Sequence, residues 1–233
     1  MMTIILKNKD YLRFWVSEII SAFGSRIQSS AIIWAVYMKT DSIVLLGLLA
    51  IIETLPALLF SFKAGSIVEK YKKSNIYWWC QIGNLITTIL MFLVLFFSPQ
   101  MLYIIILLLF IQNTIGVLSG PSKKVLIHSI TDKEDISEAI RLEGLLSNLA
   151  KVFGPPVAGF ALMIVSAEVC FLLNALTYLP FIILGARLNI KNDVIVPYKN
   201  KNSSKDLKDT FDYLKTNRPL TSVLVFLLIS CMF

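Results

Sequence analysis

The sequence predicts an all-α integral membrane protein: six membrane-crossing helices followed by the start of a seventh. Three observations carry that prediction. Of the 233 residues, 56% are hydrophobic and only 16% charged. A soluble domain carries about 45–50% and about 25%, so a soluble core has no room for this much apolar surface. The apolar residues fall in runs near twenty, the length that crosses a bilayer as a helix. The basic residues fall almost entirely at one side of those runs.

The first span is expected over about 14–38. Lys7, Lys9 and Arg13 lead straight into it with no small-residue cleavage site, so it reads as a retained helix rather than a signal peptide. A second span covers about 44–64. From Ile76 to Ser122 no charged residue occurs. At about 1.5 Å per residue that stretch would make a helix roughly 70 Å long, twice the bilayer core. Ser98-Pro99-Gln100 interrupts it as a tight turn, giving spans at about 76–97 and 101–121. Two more follow at about 138–163 and 169–187, which closes a bundle over 1–187. Residues 188–219 then read as a basic linker. Within it Leu207, Phe211 and Leu214 recur at helical spacing, which fits either a short amphipathic helix on the membrane surface or a solvated linker. Residues 220–233 supply the truncated start of a seventh span.

Charge sets the orientation. With the N-terminus in the cytoplasm, 19 of the 22 Lys and Arg residues lie in inner segments: three before the first span and four, four and eight in the second, fourth and sixth connections. The outer side has Lys39 alone, and Arg26 and Lys151 lie within spans. This asymmetry accounts for the formal charge of +7, so nucleic acid is not an expected partner and anionic lipid headgroups are. Cys80, Cys170 and Cys231 lack disulfide or metal-ligand spacing. No hydrolase triad, phosphate loop, dinucleotide fingerprint or metal cluster is seen, so neither an enzyme nor a cofactor or metal is expected. His128 reads as an ordinary histidine of the fourth connection.

Local motifs sharpen the assignment. The connection after the second span contains Gly65, Glu69, Lys70 and Lys73, with Lys72 among them: a glycine, three residues, an acid, then bases. Gly65 is expected to let helices pack closely, and an acid at a helix end can pair in one conformation and release in another. The fifth span carries Gly154-Pro155-Pro156-Val157-Ala158-Gly159, where proline loosens a helix and small residues admit a neighbour. These segments resemble the helix 2–3 signature and the exporter Gly-Pro motif of the major facilitator superfamily. Asn8 to Trp15, Gly120-Pro121 and Ile140-Arg141 are similar to its branch of macrolide and enterobactin-type exporters. The resemblance covers essentially the whole chain but about half of the usual twelve helices. It implies the amino-terminal six-helix bundle of that fold, two inverted three-helix repeats, and secondary active efflux of a small organic molecule, drug or siderophore-like, as an antiporter working by alternating access. The fourth-helix Arg common in proton-coupled members is missing from Leu107–Gly116, which weakens the expectation of protons as coupling ion.

Charges inside spans mark the candidate site, because ionisable groups at bilayer depth are costly unless functional or paired. Arg26, Glu53 and Lys151 each fall about 16–20 Å deep by residue count. They are expected to share a midplane site, with the two cations drawing an anionic substrate and Glu53 exchanging a proton. A structural Arg26–Glu53 ion pair is the competing reading. Glu18, Gln112, Asn113 and Asn148 lie on polar stripes that read as a water-facing wall, as do Ser21, Ser25 and Gln28. Glu143 reads as a gate or loop partner. Since half of a two-bundle fold has no second wall, the expectations for the whole are a split transporter completed by a separate carboxy-terminal six-helix half, an inactive fragment, or a non-transport membrane scaffold or sensor.

Overall fold

The computed structural model describes residues 8–70, 73–98, 101–132 and 134–185. Six helices follow one another: α1 (Lys9–Thr40), α2 (Ile43–Lys70), α3 (Lys73–Phe97), α4 (Leu102–Ile130), α5 (Ile136–Ile164) and α6 (Ala167–Gly185). All six are long and apolar enough to cross a membrane. At about 1.5 Å per residue the 32 residues of α1 reach about 48 Å, so this helix extends past a hydrocarbon core of about 30 Å. The linker at 188–219, the segment at 220–233 and the Leu207–Leu214 pattern lie outside the described residues.

Local chemistry sets the ends. Asn8 caps α1 by accepting from the backbone N–H groups of Asp10 and Tyr11 at 3.0 and 3.1 Å. Its amide also donates to the Ile130 carbonyl at 2.7 Å, tying the start of α1 to the end of α4. At the other end of α1, Asp41 takes a left-handed conformation (φ 47°) and its N–H caps the Tyr37 carbonyl. The α3–α4 turn is closed by Met101 N–H donating to the Ser98 carbonyl at 2.9 Å.

One boundary departs from expectation. Gly120-Pro121 reads as the end of the fourth span, yet α4 continues through Pro121 to Ile130. Leu126, Ile127 and Ile130 on that extension are buried against Tyr11, Ala139 and Leu142. This packing outweighs the local breaker. Lys123, Lys124 and His128 are therefore helical residues rather than loop residues, and Arg141 belongs to α5. α5 likewise passes through Pro155 and Pro156 as one helix, with both prolines exposed.

The helices pair mainly with partners remote in sequence. α1 packs on α5 and α6, α3 on α4 and α6, and α2 on α4. Exchanging α1-α2-α3 for α4-α5-α6 converts each of these pairings into another of the set. An odd number of crossings separates α1 from α4, so the two triplets run in opposite directions. The inverted repeat is thus expressed in the packing even though no residue-level repeat is visible in the sequence.

Glycines sit where three of these pairs come closest. A Cβ on Gly24 of α1 would lie 2.6 Å from the Asn174 and Thr177 side chains of α6. One on Gly83 of α3 would lie 2.9 Å from Ile115 of α4, and one on Gly154 of α5 would lie 2.5 Å from Arg26 Cβ of α1. At Gly24 and Gly154 a larger residue would force the neighbouring helix to shift, whereas at Gly83 the end of Ile115 would have to turn aside. A Cβ on Gly65 or Gly159 meets nothing within 4 Å among the described residues.

Two apolar clusters close the ends of the bundle. At the end where α1 begins, Tyr11, Phe14, Tyr77, Leu126, Leu142 and Phe181 are buried together, with the Tyr77 and Phe181 rings edge to face at 4.7 Å. At the opposite end Ile32, Val36, Leu95, Ile105, Leu109 and Phe171 form the second cluster. Polar side chains occupy the level between them.

Candidate functional site

Between the two clusters lies a cavity of about 410 Å³. Its wall is largely polar because α1, α3 and α4 turn polar rows toward it, while α2 adds Glu53, α5 adds Glu143 and Ser147, and α6 adds Asn174 and Tyr178. On α1 the row is Glu18, Ser21, Ser25 and Gln28, at steps of three and four that keep one helical face.

The floor of the cavity is a buried to half-buried amide and hydroxyl network. Gln28, 4% exposed, donates to Gln112 Oε1 at 2.8 Å. Its own Oε1 accepts from Thr88 Oγ1 at 3.2 Å and from the Asn174 amide. Gln112 in turn donates to Thr88 Oγ1 at 3.1 Å, and the Tyr178 hydroxyl lies 3.3 Å from both Ser25 Oγ and Asn174 Nδ2. Four helices are joined this way, and every buried amide in the network has a partner, as burial requires.

Charges at the α1-start side of the cavity are paired. Lys123 of α4 reaches Glu143 of α5 at 2.8 Å and Glu18 of α1 at 3.2 Å. The Tyr77 hydroxyl donates to Glu18, and Gln81 donates to that hydroxyl at 2.7 Å. Glu143 was expected as a gate or loop partner; its partner is a lysine that the sequence placed in a loop.

Arg26 and Glu53 stand differently. Both line the cavity, from α1 and α2. They do not form an ion pair within 4 Å, and neither pairs with another charge among the described residues. The structural ion pair considered from the sequence is therefore not formed. Arg26 lies directly over Gly154, whose missing side chain makes room for its stem.

The remaining candidates divide. Gln112 and Asn113 line the cavity, Asn113 with its amide returned to the Leu109 carbonyl at 2.9 Å. Lys151 and Asn148 do not line it; both are exposed on α5. The buried row of α5 is Leu142, Leu146, Ala150, Gly154 and Ala158, repeating every four residues, and Glu143 and Ser147 border the cavity beside it. Lys151 lies one turn beyond Ser147, which does line the cavity, and is itself exposed past the cavity's edge. The backbone of Glu69, Lys70 and Lys73 lies at the α2 and α3 ends facing each other in sequence, and their side chains lie outside the described residues.

Sequence reasoning did not single out Thr88, Asn174, Tyr178, Tyr77, Gln81 or Asn84. Gln81, Asn84 and Thr88 recur at three and four on α3, a signal that was available. Asn174 and Tyr178 are isolated polar groups in an apolar run, and only the packed bundle shows their partners.

Comparison with known proteins agrees with this architecture. The family model described as transmembrane secretion effector matches residues 5–232. The staphyloferrin A transporter of Staphylococcus aureus (strain NCTC 8325 / PS 47) is 25% identical over 203 residues, covering 87% of this chain and 51% of that protein. An uncharacterized MFS-type transporter, YfiS, of Bacillus subtilis (strain 168) is 23% identical over 168 residues, covering 72% of this chain and 39% of its own. The chain thus spans about half the length of these relatives or less. Six membrane-crossing helices, the inverted pairing and the family match agree: the chain is a multi-pass membrane protein that belongs to the transmembrane secretion effector family of the major facilitator superfamily, a family of transporters and not of enzymes.

Proposed function

We propose that this chain forms the amino-terminal bundle of a secondary active transporter that exports a small organic molecule by alternating access, with its N-terminus in the cytoplasm of a cell whose plasma membrane it spans. The observation that carries the reading is the internal polar cavity with two unpaired charges, Arg26 and Glu53, on facing helices. Unpaired ionisable groups within a membrane bundle are expensive to keep, and a ligand or coupling ion that meets them offsets the cost. The Gly154-Pro155 segment supports export, and the positively charged connections support the orientation.

In this reading Arg26, Glu53, Gln112 and Asn113 face the translocated molecule, with Glu53 as the group that takes up and releases a proton. Glu18, held by Lys123 and Tyr77, belongs to the closure of the cytoplasmic end rather than to substrate contact. Gly65, Glu69, Lys70 and Lys73 serve as the gating segment between α2 and α3. The relative named for staphyloferrin A supports a siderophore-like or other polar organic substrate. A second six-helix bundle, on this or another polypeptide, supplies the opposite wall.

The test compares cells lacking the gene with cells carrying it unchanged or with Arg26→Gln or Glu53→Gln. A panel of radiolabelled organic compounds is scored for retention inside the cell. The expected result is higher retention of at least one compound in the deletion strain, reproduced by both substitutions. Equal retention of every compound in the deletion and the unchanged strain would overturn the reading.

A further inference from the structure

The charge of the cavity as built differs from the charge expected of it. The sequence put two cations, Arg26 and Lys151, beside one acid, and so favoured an anion. In the folded bundle Lys151 does not line the cavity. The ionisable side chains that this bundle contributes to the cavity wall are Glu18, Glu53 and Glu143 against Arg26 and Lys123, a formal excess of one negative charge on that wall.

A second, independent feature points to a hydrogen-bond donor. Gln81 is 4% exposed and lines the cavity from α3, yet its Oε1 has no hydrogen-bond partner. Exchanging the amide oxygen and nitrogen does not relieve this. The Tyr77 hydroxyl spends its single proton on Glu18, so it must accept from Gln81, which fixes the Gln81 nitrogen toward Tyr77 and leaves the oxygen free. One turn along the same face of α3, the Asn84 amide also has a buried atom without a partner, and no hydrogen bond fixes which end of that amide lies there. A fixed orphaned acceptor at Gln81, with an adaptable amide one turn on and a wall whose charges sum to one negative, suits a cationic donor.

We propose that Gln81 and Asn84 of α3 form a subsite for an organic ammonium group, so that the ligand of this cavity is a cation or a zwitterion, the latter turning its anionic end to Arg26. The proposal rests on the reading of this cavity as the ligand site. It replaces the anionic preference that depth alone suggested. Glu53 on the neighbouring wall and the Glu18–Lys123–Glu143 group supply the long-range attraction, and the two amides supply direction.

The chain reconstituted in lipid nanodiscs is titrated with two fluorescent probes that share a fluorophore and differ only at the far end of the linker. One is dansylcadaverine, ending in an ammonium, and the other is dansyl-6-aminohexanoate, ending in a carboxylate. Empty nanodiscs give the background. The ammonium probe is expected to bind about tenfold tighter than the carboxylate probe. Asn84→Asp should tighten it, and Asn84→Leu and Gln81→Leu should each weaken it about tenfold while leaving the carboxylate probe unchanged. Asn84 makes no contact with the Tyr77–Glu18 pair, so its two variants decide the matter if Gln81→Leu disturbs the fold. Equal or reversed preference of the two probes, or indifference to all three substitutions, would overturn the ammonium subsite alone. Failure of both probes to bind the unchanged protein above background would overturn it together with the cavity's assignment as the ligand site.

Discussion

The bundle handles its internal charges in two ways. Near the start of α1, Lys123 is clasped by Glu18 and Glu143, and Glu18 is further held by Tyr77. Farther along the same cavity, Arg26 and Glu53 line the wall without an ion pair within 4 Å. Both sets of groups lie on membrane-spanning helices, and the clasped set is the more buried of the two. A paired cluster is what holds helices together. An unpaired pair is what a bundle tolerates when something else must meet it. The lesson is that depth within the membrane does not identify a ligand-facing charge; a place on the cavity wall together with the lack of an ion-pair partner is needed.

Removing the central base of the paired cluster is expected to have the largest effect. Lys123→Met leaves two carboxylates facing each other in the bundle and should cost about 3 kcal/mol, as losing one partner of a buried pair does. The apparent Tm in mild detergent should fall accordingly. Lys123→Met combined with Glu18→Gln and Glu143→Gln should recover much of the loss, since no charge is then left unpaired. A single variant as stable as the unchanged chain would erase the contrast between the two regions.

The neutral network between them should come next. Gln28→Leu deprives Gln112, Thr88 and Asn174 of a shared partner and should cost about 1–3 kcal/mol, the penalty for stranded buried polar groups. Thermal unfolding in detergent again reads the loss. A helix-crossing comparison follows. Gly24→Ala drives a methyl group into Asn174 and Thr177 and should destabilise by about 1–3 kcal/mol. Gly159→Ala meets open space and should change stability by less than about 0.5 kcal/mol. Equal effects at the two glycines would show that close approach is not what holds α1 to α6.

Much of the fold is legible in the sequence because the bilayer demands it. The absence of charge from Ile76 to Ser122 and the Ser98-Pro99-Gln100 break define α3 and α4 without any knowledge of packing. The end of α4 is not legible: Gly120-Pro121 is a strong local stop, and it is overridden by contacts from Tyr11 and Ala139 more than a hundred residues and almost ten residues away in the chain, respectively. That misplaced boundary moved Lys123 into a loop and hid the paired cluster. Arg26, Glu53, Gln112 and Asn113 were recoverable because a polar group in an apolar span is conspicuous. Lys151 was equally conspicuous, and yet it is exposed past the cavity's edge. Its position is set by the four-residue row from Leu142 to Ala158, which faces α1 because Gly154 seats on the Arg26 stem. Such a row is readable only after its partner helix is known.

If paired charges hold the bundle and unpaired charges serve a ligand, the two kinds separate in one experiment. Unfolding temperature and cellular retention of an exported compound are measured in parallel for Lys123→Met and for Arg26→Gln. Lys123→Met is expected to lower the unfolding temperature. Arg26→Gln is expected to leave that temperature near the unchanged value and to abolish export, and this division of roles is what is at stake. An Arg26→Gln protein that unfolds as early as Lys123→Met, or that exports as well as the unchanged protein, would contradict it.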